Sequence, residues 1–174
     1  MFKVQTSTKM MKKNLTHIYF NECLAAFILL IIFDQSTKIL IAKIMLENMF
    51  ESIEVLPFLN IVFVRNTGIS FGLFSDGGLL SRYFFTFCSL IIGTILLIIC
   101  FLTKDRLIKI SLLLISGGAI GNAIDRIYFG GVIDFIDIFL YNYHWPAFNL
   151  ADIFISLGVI ILLFENFFGK MIYE

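Results

Sequence analysis

Residues 83–102 run for about 20 residues without one charged side chain. As a helix that length crosses the hydrocarbon core of a bilayer, and inside lipid only a helix or a closed barrel satisfies its own backbone. The rest of the chain suits the same solvent. Of 174 residues, 59% are hydrophobic, 16% aromatic and 15% charged, whereas soluble domains carry about a quarter charged residues. One compact membrane domain is the expectation. The formal net charge of zero gives no electrostatic reason to expect a nucleic-acid partner.

Three further segments complete the pattern. Residues 24–33 and 39–42 are apolar with Asp34-Gln35-Ser36-Thr37-Lys38 between them, and a spanning helix is read over about residues 19–45. Residues 107–127 form another span, interrupted by Gly117, Gly118 and Gly121, and residues 147–168 form the last. The spacing predicts a mainly α membrane protein with four transmembrane helices. Before the first span, residues 1–18 are polar and carry Lys3, Lys9, Lys12 and Lys13. Lysines ahead of about ten apolar residues suit a cleavable signal peptide. No small-residue cleavage site follows, however, and apolar character resumes after Lys38, so one spanning helix is expected. The tail is read as a disordered cytoplasmic arm without assigned function, and residues 169–174 as a cytoplasmic C-terminus.

Residues 47–81 are mixed and contain Pro57, Gly68, Gly72, Gly77 and Gly78. Ile61-Val62-Phe63-Val64 and Ile69-Ser70-Phe71-Gly72-Leu73-Phe74 are β-rich, which predicts a small sheet at the membrane surface. Residues 128–146 read as a loop whose Tyr141, Tyr143 and Trp145 suit the membrane interface. Cys23, Cys88 and Cys100 lie in apolar stretches with no C-x-x-C pair, so free buried thiols are expected rather than a disulfide framework or zinc site.

Four spans with short connections put both termini on one side. That side holds Lys3, Lys9, Lys12, Lys13, Lys104, Arg106, Lys109 and Lys170; the other holds Lys43, Arg65, Arg82 and Arg126, with Lys38 near the boundary. Eight against five favours cytoplasmic termini. The outer side then receives Asp34, Asn66, Asp125, Asp134 and Asp152 together. An ionised group near mid-membrane costs roughly 2.5–3.5 kcal/mol on insertion scales, so carboxylates gathered on one face invite a functional reading.

Asn149 follows Pro146 and precedes an apolar run, which suits a helix N-cap with Asp152 at the third helical position. The plain reading of this pair is a cap. The functional one adds that a helix N-terminus favours negative charge, keeping Asp152 ionised among apolar neighbours. Asp134 lies in Val132-Ile133-Asp134-Phe135, where the plain reading is a solvated loop carboxylate and a strand cannot be established from the pattern. If it meets Asp152, the two share one proton, as in aspartic proteases. Asn122, one turn inside the third span, needs hydrogen-bond partners and is a candidate brace. Asp125 and Arg126 fit an ion-paired helix terminus. Asp34 and Lys38, spaced i, i+4, share a helix face and suit a structural pair. Arg65-Asn66-Thr67-Gly68 reads as a turn presenting the Asn66 amide. His17 and His144 form no metal-ligand spacing, and neither G-x-S-x-G nor a P-loop occurs.

The ordered set Asp34-Gln35-Ser36-Thr37-Lys38, Arg65-Asn66-Thr67-Gly68-Ile69-Ser70-Phe71-Gly72, Gly121-Asn122-Ala123-Ile124-Asp125-Arg126, Val132-Ile133-Asp134-Phe135 and Phe148-Asn149-Leu150-Ala151-Asp152 closely resembles the lipoprotein signal peptidase family, also called signal peptidase II. The resemblance covers roughly residues 25–168. It implies an aspartic endopeptidase of the bacterial inner membrane, which cuts prolipoproteins before a diacylglyceryl-modified cysteine. It implies Asp134 and Asp152 as the catalytic dyad, and Asn66, Asn122, Arg126 and Asn149 around the substrate. Asp34, Lys38 and Asp125 match motif positions assigned to support. Asp125 is the rival for the first catalytic seat; Asp134 is preferred because Asp125 adjoins Arg126. The resemblance also makes residues 47–81 an extracytoplasmic β-sheet cradle. No metal or other cofactor is expected, membrane lipid and lipidated precursors are the expected partners, and the chain is expected to act as a monomer.

Three rival classes remain from the residues alone. A proton- or ion-coupled carrier also places carboxylates in a membrane, although no repeat is evident. A structural bundle subunit explains each aspartate singly, and a metal-dependent hydrolase would use Asp125, Asp134, Asp137 and Asp152.

Overall fold

The structure, a computed structural model, describes residues 2–68 and 78–169. The chain forms helix α1 (Phe2–Glu47), strands β1 (Ile53–Leu56) and β2 (Leu59–Asn66), helices α2 (Gly78–Leu102) and α3 (Arg106–Tyr128), strands β3 (Val132–Leu140) and β4 (Tyr143–His144), and helix α4 (Leu150–Phe164). A short π-helical turn, Glu165–Gly169, follows α4. Four helical stretches are long and apolar enough to cross a membrane: Phe20–Glu47, Gly78–Leu102, Arg106–Tyr128 and Leu150–Phe167. They match the four expected spans and define a multi-pass membrane protein. The segment expected to be a disordered arm is instead the first part of α1, which begins at Phe2.

α3 is the central helix. It packs against α1, α2 and α4, and most of it is buried, while the other three turn most of their surface outward. Lipid tails are as apolar as leucine, so helices associate in a membrane through close packing and polar contacts rather than through the hydrophobic effect. The glycines expected to permit close packing do so. A Cβ on Gly118 would collide with the backbone oxygen of Ala151 in α4, and one on Gly121 would lie 2.6 Å from Asp34 Oδ2. At the far end of the bundle, Cys23, Cys100, Leu112 and Leu113 form an apolar cluster, and all three cysteines are free. The Asp105 carboxylate caps the start of α3 by accepting from Ile108 N at 2.9 Å.

The sheet is antiparallel in the order β1-β2-β3-β4. Only its first half was expected. Ile61-Val62-Phe63-Val64 lies in β2, while the second tract, 69–74, falls outside the described residues. The supposed loop 128–146 contains β3 and β4. β3 reads Val-Ile-Asp-Phe-Ile-Asp-Ile-Phe-Leu, β-branched and aromatic residues broken by two aspartates, and aspartate is depleted in strands. Both aspartates are buried, and Val132, Ile133 and Phe135 are buried beside them. β2 pairs with β3 so that Val64 faces Asp134 and Asn66 faces Val132. Beyond β3 a single bridge joins Ile136 to Phe148, with Phe148 O accepting from Phe135 N at 3.0 Å and Ile136 N at 2.9 Å. That bridge fastens the strand bearing Asp134 to the residue before the α4 cap.

Candidate active site

Polar residues of α1, α3, α4 and the sheet meet near the end of α3 and the start of α4. Asn149 is the N-cap of α4, with extended backbone (φ −133°, ψ −176°). Its side chain accepts from Asp152 N at 3.0 Å, and its own N–H donates to Asp152 Oδ2 at 3.1 Å, completing the expected capping box. Its amide nitrogen then reaches out of the cap and donates to Asp134 Oδ1 at 2.7 Å. One residue therefore touches both carboxylates that the sequence singled out.

Each carboxylate has a second donor. Asn66, the last residue of β2, donates from Nδ2 to Asp134 Oδ2 at 3.0 Å and accepts from Gly68 N at 3.1 Å. Asn122 donates from Nδ2 to Asp152 Oδ1 at 2.9 Å. Asp134 is 2% exposed. Burial, and after it the charge of Asp152, push its carboxyl up to about 6, while the hydrogen bonds from Asn66 and Asn149 pull the other way. Burial disfavours the ionised form, and a like charge nearby adds to that effect.

Behind this pair lies an ion cluster of three fully buried side chains. Lys38 Nζ donates to Asp34 Oδ2 at 2.8 Å, pairs with Asp125 Oδ2 at 2.8 Å, and donates to Asn122 Oδ1 at 3.1 Å. The i, i+4 pair of Asp34 and Lys38 is present as expected. Asp125 is ion-paired too, but with Lys38 rather than with adjoining Arg126: consecutive helical residues point about 100° apart, while Lys38 approaches from α1. Arg126 Nη1 instead donates to Asn122 O at 3.3 Å, and the guanidinium lies 6.0 Å from the Phe85 ring centre. Among the described residues Arg126 Nε is buried without a partner. Asp134, Asp152 and Asp125 all lie within its electrostatic reach.

The cluster also grips the backbone on both sides of the pair. Asp125 Oδ2 accepts from Ile133 N at 3.2 Å, next to Asp134, and Asp34 Oδ1 accepts from Ala151 N at 3.0 Å, next to Asp152. The N–H of Ala151 is one of the donors that the first turn of a helix leaves without an internal partner. Asp125 is thus saturated by Lys38, Ile133 and Gln35, whereas Asp134 and Asp152 are joined through Asn149.

Sequence reasoning gave Gln35 no role. Its Nε2 lies 2.8 Å from Asp125 Oδ1, 3.0 Å from Asp34 Oδ2 and 3.2 Å from Gly121 O; its only signal was its position between Asp34 and Lys38. Arg82 was also missed. It donates to Arg126 O at 2.6 Å and Ile127 O at 2.7 Å, capping the open carbonyls of α3. The four carboxylates considered for a metal do not converge, because Asp137 is engaged by His144 Nδ1 at 2.9 Å and by Asn60 at 3.3 Å. Among the described residues no group of three or more potential ligands gathers elsewhere. Beside Asp152, a cleft of about 470 Å³ is lined by Trp145, Pro146, Ala147, Phe148, Ile153 and Ser156 among others.

A four-span bundle with two carboxylates joined through one asparagine beside a cleft is a membrane protein equipped for acid/base chemistry. Comparison with known proteins narrows the class. The family described as Signal peptidase (SPase) II matches residues 26–168. The lipoprotein signal peptidase of Pelagibacter ubique (strain HTCC1062) is 41% identical over 165 residues, covering 92% of this chain and 96% of that one. That of Cupriavidus necator is 38% identical over 144 residues, covering 82% and 81%. A bacterial membrane enzyme solved by the in meso method at 1.9 Å resolution superposes with a TM-score of 0.70 at 34% identity, over 84% of this chain and 93% of that one. The chain belongs to the signal peptidase II family.

Proposed function

We propose that this protein is an aspartic endopeptidase that removes the signal peptide from diacylglyceryl-modified prolipoproteins, cutting before the lipidated cysteine. The observation that carries the reading is the double contact of Asn149, to Asp134 through its side chain and to Asp152 through its backbone. Two carboxylates held this close share one proton, which is the state that aspartic hydrolysis requires.

The surroundings assign the roles. Asp152 accepts from Asn122 Nδ2 and from the Asn149 N–H at the positive end of α4. Asp134 holds the proton because burial and the charge of Asp152 outweigh the amide donors of Asn66 and Asn149. Asp152 accepts a proton from water as the water attacks the scissile carbonyl carbon, while Asp134 donates its proton to the carbonyl oxygen. Collapse of the tetrahedral intermediate returns a proton to the leaving amine. Arg126, with Nε uncommitted, is positioned to bind a substrate carbonyl, and Asn66 and Asn149 keep the dyad aligned.

A lipidated cysteine preceded by a transmembrane signal peptide reaches such a site through the bilayer, which accords with a cleft along the first turns of α4. The lysine and arginine balance supports cytoplasmic termini in a bacterial inner membrane, with the dyad and the sheet at the outer face. Both carboxylates come from one chain, so a monomer suffices.

The test is cleavage of lipidated and unlipidated precursor by purified protein. Only the lipidated form is expected to be cut, and Asp134→Asn and Asp152→Asn each abolish cleavage while remaining folded in detergent. Full turnover by either variant removes that residue from the dyad.

A further inference from the structure

The segment 145–148 lies along β3 as an irregular outer strand. Trp145 N donates to Ile138 O at 2.8 Å, and Phe148 uses both its N–H and its C=O on β3, donating to Ile136 O at 3.1 Å. Successive residues of an extended chain direct their amides to opposite edges. Ala147, between Pro146 and Phe148, makes no bond to β3. Among the described residues neither the N–H nor the C=O of Ala147 has a hydrogen-bond partner. Ala147 is half-buried and lines the cleft of about 470 Å³ that Asp152 also lines. This peptide group therefore keeps a donor and an acceptor uncommitted by the fold at the cleft.

We propose that this edge is a backbone rail for the substrate: the peptide just before the scissile bond lies extended along residues 145–148, accepting from Ala147 N–H and donating to Ala147 C=O. The inference rests on the peptidase reading and adds how the chain entering the dyad is held. Strand addition of this kind takes its affinity from main-chain bonds and its selectivity from alternate side chains. The walls next to the rail are Trp145, Phe148, Ile153 and Leu157, with Ser156 one turn beyond Asp152. Substrate side chains pointing into the cleft are therefore small or apolar.

The experiment uses wild-type protein and a synthetic diacylglyceryl lipopeptide in which an ester replaces one amide at a time over the four residues before the scissile bond, the scissile amide being left intact. Loss of a single hydrogen bond raises KM by about five- to tenfold at one position, the residue whose N–H donates to Ala147 C=O, with kcat unchanged. Ala147→Pro, which deletes the N–H and keeps an extended backbone, raises KM for the parent lipopeptide to a similar degree. Parent-like KM for every ester removes the rail and leaves the peptidase standing. Failure of wild-type protein to cut the parent lipopeptide overturns both.

Discussion

Asn122 aims its amide nitrogen at Asp152 Oδ1 (2.9 Å), while its oxygen accepts from Lys38 Nζ (3.1 Å) and Asn149 Nδ2 (3.2 Å). The buried ammonium thus fixes which way the amide faces, and the amide nitrogen supports negative charge on Asp152. Replacing Asn122 with Ala removes a hydrogen bond to a charged group, worth about 1.5–3 kcal/mol. If the bond is made in the transition state, kcat falls roughly 10- to 150-fold. Asn122→Asp faces Asp152 with a second carboxylate and lowers kcat further. Steady-state kinetics on a lipidated precursor checks both; a kcat within twofold of wild type for Asn122→Ala removes Asn122 from the mechanism.

Asp134 sets the pH response. Its carboxyl is raised from the ordinary 3.8 to about 6, so it is protonated below about pH 6 and loses its proton above. If Asp134 is the acid, kcat/KM falls about tenfold per pH unit on the alkaline side of that point. The same shift makes stability highest below about pH 4, declining to about pH 6 and level beyond, because the folded protein holds the proton that the unfolded chain releases. Asn66→Ala removes a donor that favours the ionised form, so the alkaline limb moves to higher pH. A profile measured at saturating and at low substrate tests this; a limb that moves down in Asn66→Ala, or does not move, contradicts the assignment.

The parts of this site that are local in sequence were legible there. The Asn149–Asp152 cap spans three residues and the Asp34–Lys38 pair one helical turn, so spacing alone defines them. The partner of Asp125 was not legible. Lys38 comes from another helix, and nothing near Asp125 in sequence separates it from adjoining Arg126 as the expected mate. β3 was hidden by its own residues, since the buried Asp134 and Asp137 break the alternation by which a strand is recognised. The same hidden strand pairing brings Asn66 next to Asp134, which is why Asn66 read as a turn residue awaiting a ligand.

Lys38 is the one cation in a cluster with Asp34 and Asp125, all three fully buried. Removing one member of such a cluster leaves uncompensated buried charge, at a cost of about 3–5 kcal/mol. Lys38→Met is therefore expected to lower the melting temperature in detergent markedly. Asp125→Asn keeps an oxygen to accept from Ile133 N and leaves Lys38 paired with Asp34, so it retains measurable cleavage. Complete loss of activity in Asp125→Asn alongside an active Asp134→Asn exchanges the roles of the two aspartates.

Gly118 and Gly93 both lie at helix contacts, yet they differ in what an added methyl would strike. On Gly118 it meets the backbone oxygen of Ala151, adjoining Asp152, and Ile155 Cγ1 at 2.8 Å; on Gly93 it meets the side chain of Ile120 at 3.0 Å and Ala119 Cβ at 3.4 Å. A flexible isoleucine end yields where a helix backbone cannot. Gly118→Ala pushes α4 off α3, costing about 1–3 kcal/mol in overpacking and displacing Asp152 from Asn122. It lowers both the melting temperature and kcat, whereas Gly93→Ala changes either only slightly. Thermal unfolding and single-turnover cleavage of the two variants side by side make the comparison. Equal behaviour means that α3 and α4 part without disturbing the dyad.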